Sequence, residues 1–272
     1  MGVIVDDITC FKDAITGGAF ETIAAASGQS LSIRWLGSGT KVSLLEVWGG
    51  NNTSKMDVSI RSPLLHDNVR GIRFAHQFNP TLSGADGNPQ LYLPPHWIQP
   101  YEPTDTLIVE VNGTAAADVT VSQSLLYDSP EVQGARLLTA AEVDSRLVNL
   151  VGIRVAPVPA AATSTYGSTV PLNSSDDRLK ANTDYAWLGL TTDLPFTTFG
   201  MFGPDTANFL CSMPGHWDEK ISSGWWYEMS TRFNRPLIPV LNSNNKGVTF
   251  CQAADAGGGT APLVSLLFAE LR

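Results

Sequence analysis

Four histidines, His66, His76, His96 and His216, are the side chains of this chain best suited to general acid–base work or metal binding. Their spacing serves neither. No HxH or HxxxH pair occurs, and His66 and His76 stand ten positions apart, so zinc-ligand spacing is absent. "HDN" at His66 and "HWDE" at His216 set acids beside imidazoles, but neighbours on a strand face opposite ways. Cys10, Cys211 and Cys251 form no CxxC and read as buried thiols. A Cys211–Cys251 bridge would need neighbouring strands, which spacing alone does not establish. Asp6-Asp7 and Asp176-Asp177 lie in polar, loop-like stretches and read as solvated surface rather than a glycosidase pair. "SGADGNPQ" and "DAGGGT" lack the strand-to-helix context of a phosphate cradle, and Asp86 lacks the alternating acids of a calcium loop. With no GxSxG elbow, P-loop or dinucleotide fingerprint either, the expectation is no catalytic residue, no cofactor-binding residue, no metal ligand and no enzyme activity.

The aromatic residues offer a different chemistry. "GWWYEM" groups Trp225, Trp226 and Tyr227, and "PPHWIQPY" adds Trp97 and Tyr101. Such rings serve either as sugar-stacking platforms or as filling between domains or subunits. The second use is the reading taken here.

Composition narrows the frame that must position these groups. The 272 residues are 43% hydrophobic but only 16% charged, with 24 Gly and 17 Pro, which suits short strands and turns better than helices. A net charge of −9 without a run of Lys or Arg disfavours direct nucleic-acid binding. The start, "MGVIVDDITC", lacks the basic and long apolar regions of a signal peptide, and no window reaches 18 uninterrupted apolar residues. The reading is therefore a chain made in a cytosol and carrying no transmembrane span.

Period-two alternation supplies the strands. Leu31, Ile33 and Trp35 share one face, as do Met56, Val58 and Ile60, and then Val119 and Val121, each set facing polar residues. This predicts antiparallel sheets with one buried and one wet face. Helices are few. Thr139 stands three residues before Glu142, a capping-box spacing that predicts a short helix, and "SSGWWYEMSTRFN" predicts a second.

The second half repeats the first. "WLG" occurs at Trp35 and Trp187, and Gly50, Thr53 and Pro63 find counterparts in Gly203, Thr206 and Pro214. Further on, strands ending at Asn112 and Asn242 precede the closing segments "SLLYD" and "SLLFAE". The expectation is an N-terminal arm over 1–30, a first jelly roll over 31–132, a linker with a short helix over 133–146, and a second jelly roll over 147–272. Trp35 and Trp187 are expected at matching core positions.

Two tandem sandwiches marked this way, with a short helix between them, resemble the double jelly-roll major capsid proteins of tailless icosahedral, bacteriophage-like viruses. The resemblance implies an all-β fold of two tandem antiparallel β-sandwiches and a structural role in the virion. It further implies homotrimers that form pseudo-hexagonal capsomers, with neighbouring capsomers, other capsid proteins and an internal membrane as partners. It calls for no cofactor and no sequence-specific nucleic-acid contact. The alternatives are a minor capsid or vertex protein, and a lectin-like carbohydrate-binding spike.

Overall fold

A computed structural model describes residues 2–51, 56–63, 72–76, 99–156, 166–193, 196–215, 222–254 and 262–272. Among the described residues the chain is mostly β, with four antiparallel sheets and few helices. In the first half the strands are β1 (Gly2–Lys12), β2 (Glu21–Thr22), β3 (Ala24–Ala25), β4 (Lys41–Asn51), β5 (Met56–Arg61), β6 (Ile72–His76), β7 (Gln99–Tyr101), β8 (Ile108–Gly113) and β9 (Val119–Ser129). A connector carries β10 (Leu137–Leu138) and α1 (Ala140–Arg146). The second half holds β11 (Leu147–Val155), β12 (Val170–Pro171), β13 (Asp184–Thr192), β14 (Phe196–Phe202), β15 (Cys211–Gly215), α2 (Trp225–Phe233), β16 (Ile238–Asn242), β17 (Phe250–Ala254) and β18 (Val264–Leu271).

The two halves share one strand order. Sheet 1 runs β3-β1-β9-β4-β7 and sheet 2 runs β2-β8-β5-β6. Sheet 3 runs β12-β17-β14-β15 and sheet 4 runs β10-β16-β13-β18-β11. Setting aside the two-residue strands β3 and β10, each strand of the first half has one counterpart in the second. Thus β1 matches β11, β4 matches β13, and β9 matches β18.

The halves thus share a strand order among the described residues, but several marks that suggested a repeat are not equivalent. Trp187 lies in β13 and is fully buried, whereas Trp35 lies in the segment before β4 and is 63% exposed. Each "WLG" glycine has its own reason. Gly37 adopts φ +101 in a turn, while a Cβ on Gly189 would stand 2.0 Å from the Ser222 carbonyl oxygen. Asn112 belongs to β8 and Asn242 to β16, which matches β7 rather than β8. Only the closing segments, in β9 and β18, correspond as expected. Replacing Trp187 by Ala is thus expected to destabilise by about 3–5 kcal/mol. Trp35→Ala should stay within about 0.5 kcal/mol. Urea unfolding of the two variants measures the difference, and equal losses would contradict the assignment.

Burial also corrects the expected arm. Gly2–Lys12 is an eleven-residue strand inside sheet 1, paired along its whole length with β9 from Gly2↔Ser129 to Lys12↔Val119. Its β-branched run "VIVDDIT" is strand-forming, and pairing satisfies its backbone. One face of sheet 1 packs on sheet 2 through Ile4, Ile8, Val42, Val58, Val109 and Val121. Its other face meets sheet 3, where Val5, Leu45, Trp48 and Leu126 join the core of the second half. The four sheets therefore stack in the order 2-1-3-4. This explains why Thr120, Ser122 and Ser124, expected on a wet face, are buried at 1% exposure or less. The wet-face reading holds in part on β5: Asp57 and Arg61 make ion pairs with Arg73 and Glu110, while Ser59 between them is buried.

Both helices form where the sequence places them. Thr139 and Glu142 make the reciprocal capping box at the start of α1. Helix α2 follows β15, and Asn234, in the left-handed region at φ 51, ends it.

Candidate functional site

The seam between sheets 1 and 3 concentrates the buried polar chemistry of the molecule. Asp6 and Asp7 of β1 are 3% and 2% exposed, contrary to the expectation of solvated acids. The Asp7 carboxylate accepts hydrogen bonds from the Thr9 hydroxyl and, at 2.6 Å, from the Tyr166 hydroxyl of the second half. Thr9 lies 2.8 Å from Ser122 Oγ and 2.7 Å from Tyr166 Oη, extending the network across the seam. Among the described residues, Asp7 Oδ1 has no hydrogen-bond partner. Burial pushes the Asp7 carboxyl up to about 6, against the pull of its hydroxyl partners.

Asp6 sits at the mouth of the same seam. Its carboxylate accepts from the Leu210 N–H at 3.2 Å and faces Arg34 Nε at 3.3 Å. Burial again dominates and raises it to about 6, with Arg34 opposing. The β3 strand pairs only with Cys10 and Phe11, so upstream residues of β1 need other partners. Gln29 supplies them. Its side-chain oxygen accepts from Thr9 N–H at 2.7 Å, and its amide donates to the Asp7 carbonyl at 3.2 Å.

A third buried acid lies along the seam. Glu46 of β4 is 1% exposed, with Arg232 of α2 3.5 Å away, and burial raises its carboxyl to about 8. Beside it, the rings of Trp48 and Trp225 meet edge-to-face at 6.0 Å, joining first half to second. Trp226 packs against Trp187 at 5.6 Å. Trp225 and Trp226 are 5% and 0% exposed, so they fill an internal junction and form no sugar-stacking platform. Tyr101 is buried too, while Tyr227 donates its hydroxyl to Asp144. Trp97 lies outside the described residues.

His76 belongs to β6, while His66, His96, His216, Asp86 and the run "DAGGGT" lie outside the described residues. Cys10, Cys211 and Cys251 are free, fully buried thiols, and burial pushes all three well up, away from reactive thiolates. Cys211 and Cys251 flank β14 from opposite sides, each paired with Met201, so their strands are not neighbours. Asp176 and Asp177 pair with Arg178 and Lys246 at the surface. Among the described residues, no group of three or more His, Cys, Asp or Glu could hold a metal ion. None of their helices is long and apolar enough to cross a membrane.

Asp6, Asp7 and Glu46 could have been suspected from sequence. Each is embedded in an apolar strand segment, "VIVDDITCF" or "SLLEVW". Tyr166 carried no comparable signal. Its contact with Asp7 spans 159 positions and depends on how the halves stack.

No known family model matches the chain, and no curated protein is similar to it. Three solved structures align over nearly its whole length at low similarity. The PBSX exported protein XepA aligns over 98% of this chain and 86% of its own, with 11% identity and a TM-score of 0.27. The Macrobrachium rosenbergii nodavirus structure covers 99% of this chain and 97% of its own, with 11% identity and a TM-score of 0.25. The STIV MCP covers 99% and 96%, with 9% identity and a TM-score of 0.23. Likenesses at these scores carry no argument about role.

Proposed function

We propose that each half is a jelly roll and that the chain is a viral structural protein, the major capsid protein of an icosahedral shell built from trimeric capsomers. The strand order is the observation that supports this reading. In each half, eight main strands form one sheet in the order first-eighth-third-sixth and another in the order second-seventh-fourth-fifth. Two such units in one chain let a trimer present six similar lobes. Fold does not by itself fix role, so self-association is the property to test.

The surface for it is β11. This strand is the edge of sheet 4, and among the described residues its partner is β18. Leu147, Val148 and Leu150 are 43%, 55% and 54% exposed, and no charge interrupts Leu147–Ile153. Proteins that stay monomeric commonly protect such an edge with Lys or Pro, and β11 has neither; its register shift between Leu147 and Asn149 leaves Leu150 exposed. Replacing Leu150 by Lys should weaken self-association at least about tenfold, the equivalent of 1.4 kcal/mol. Because the side chain is exposed, thermal stability should hardly change. Light scattering across a dilution series measures this. The reading fails if the unaltered chain is a monomer at every concentration, or if Leu150→Lys leaves its assembly unchanged.

A further inference from the structure

At its open end, the seam widens into a cleft of ≈ 360 Å³ lined by both halves. Small-molecule sites favour such junctions, and this volume suits a small ligand. Asp6 forms a buried wall, 3% exposed, and Arg34 faces it from the solvent side, half exposed. The two charges neutralise each other, so the cleft has no strong preference for an ion of either sign. Arg34 is also held in place, its guanidinium 5.1 Å from the Phe209 ring centre.

The remaining walls are uncharged and include three side-chain amides and the rings of Phe202 and Tyr166. Gln29 is fixed against β1 by its two backbone hydrogen bonds. Asn208 is exposed beside Leu210, and Gln252 reaches the cleft from β17. Phe202, half-buried and packed on Phe250 at 5.8 Å, gives the cleft an apolar wall. Planar amides and a charge-neutral carboxylate–guanidinium pair match the alternating donors and acceptors of vicinal hydroxyls. An aromatic ring receives the C–H face of the same ligand.

From this arrangement we propose that the cleft is a binding site for a neutral saccharide. The site does not depend on the shell role, and its failure would leave the strand-order argument untouched. It also differs from a platform built on Trp225 and Trp226, which burial excludes.

Titration with glucose, galactose, mannose, N-acetylglucosamine and their common disaccharides, followed by amide NMR shifts and calorimetry, tests the proposal. Glucose 6-phosphate and sialic acid serve as charged counterparts. At least one neutral sugar should bind and shift resonances of Gln29, Asn208 and Gln252. Asn208→Asp and Gln252→Glu keep side-chain size but exchange amide donors for carboxylate oxygens, so each should weaken that binding at least about tenfold. Asn208 is at φ 60, a conformation Asp tolerates, and Gln252→Glu offers a second variant should the first fail to fold. Melting curves matching the unaltered protein identify the folded variants. The proposal is overturned if no neutral sugar binds, if charged sugars bind more tightly, or if folded variants bind as well as the original.

Discussion

Moving the protein from pH 5 to pH 8.5 is expected to lower its melting temperature by roughly 10 °C. Three acids buried at the seam set the sign. Asp6 and Asp7 are raised from 3.8 to about 6, and Glu46 from 4.5 to about 8, in each case chiefly by burial. A carboxyl raised on folding favours the folded state while it is protonated. Its stabilisation is complete below its ordinary value and is lost as pH rises through the folded value. The loss thus runs from about 4 to about 6 for the two aspartates and on to about 8 for Glu46. At about 1.4 kcal/mol per unit, Glu46 alone accounts for something on the order of 4 kcal/mol in this window. Arg34 and Arg232 oppose the effect, and Arg34 is half exposed, so water weakens its pull. Glu46→Gln should therefore raise stability at pH 8.5 and flatten the profile, with Asp7→Asn acting likewise at lower pH. Calorimetric melts at half-unit intervals measure this. A profile level between pH 5 and 8.5, or loss of stability at pH 8.5 in Glu46→Gln, would contradict the account of the seam.

Trp48→Ala is expected to destabilise by about 3–5 kcal/mol, the range for a large buried aromatic. Trp48 is fully buried on β4, and its ring meets Trp225 across the junction, so truncation leaves a void between the halves. Among the described residues, its indole N–H has no hydrogen-bond partner. Trp48→Phe should thus recover much of the loss, because ring area, not a polar contact, supplies the stabilisation. Denaturant unfolding of both variants gives the comparison. A loss under about 1 kcal/mol for Trp48→Ala would mean that the junction contributes little to holding the halves.

The strands with one wet face were the most legible part of the sequence. Met56, Val58 and Ile60 alternate with half-buried Asp57 and Arg61 because sheet 2 is an outer layer, and period two survives there in part. The capping box at Thr139 and Glu142 was legible for a similar reason, since both partners lie within one turn. Strands covered on both sides were harder to read. Polar Thr120, Ser122 and Ser124 look like a solvent face until a second sandwich is laid over them. The same cover hid Asp6 and Asp7 and made the first strand look like a free arm. The repeat was visible in outline but not in register. "WLG" marks a turn in one half and a core strand in the other, and loop lengths had shifted the true counterparts. Tyr166 lay beyond sequence reasoning, because its partner is fixed by stacking across 159 positions.

The claim that two like-ordered sandwiches serve as one building block of a shell is tested most directly by electron microscopy. Class averages of the purified full chain, taken at a concentration where light scattering finds assembly, show its outline. The account predicts three-fold particles with six lobes, alone or tiled into sheets and shells. Particles holding a single pair of lobes at every concentration, or rings of another symmetry, would contradict it.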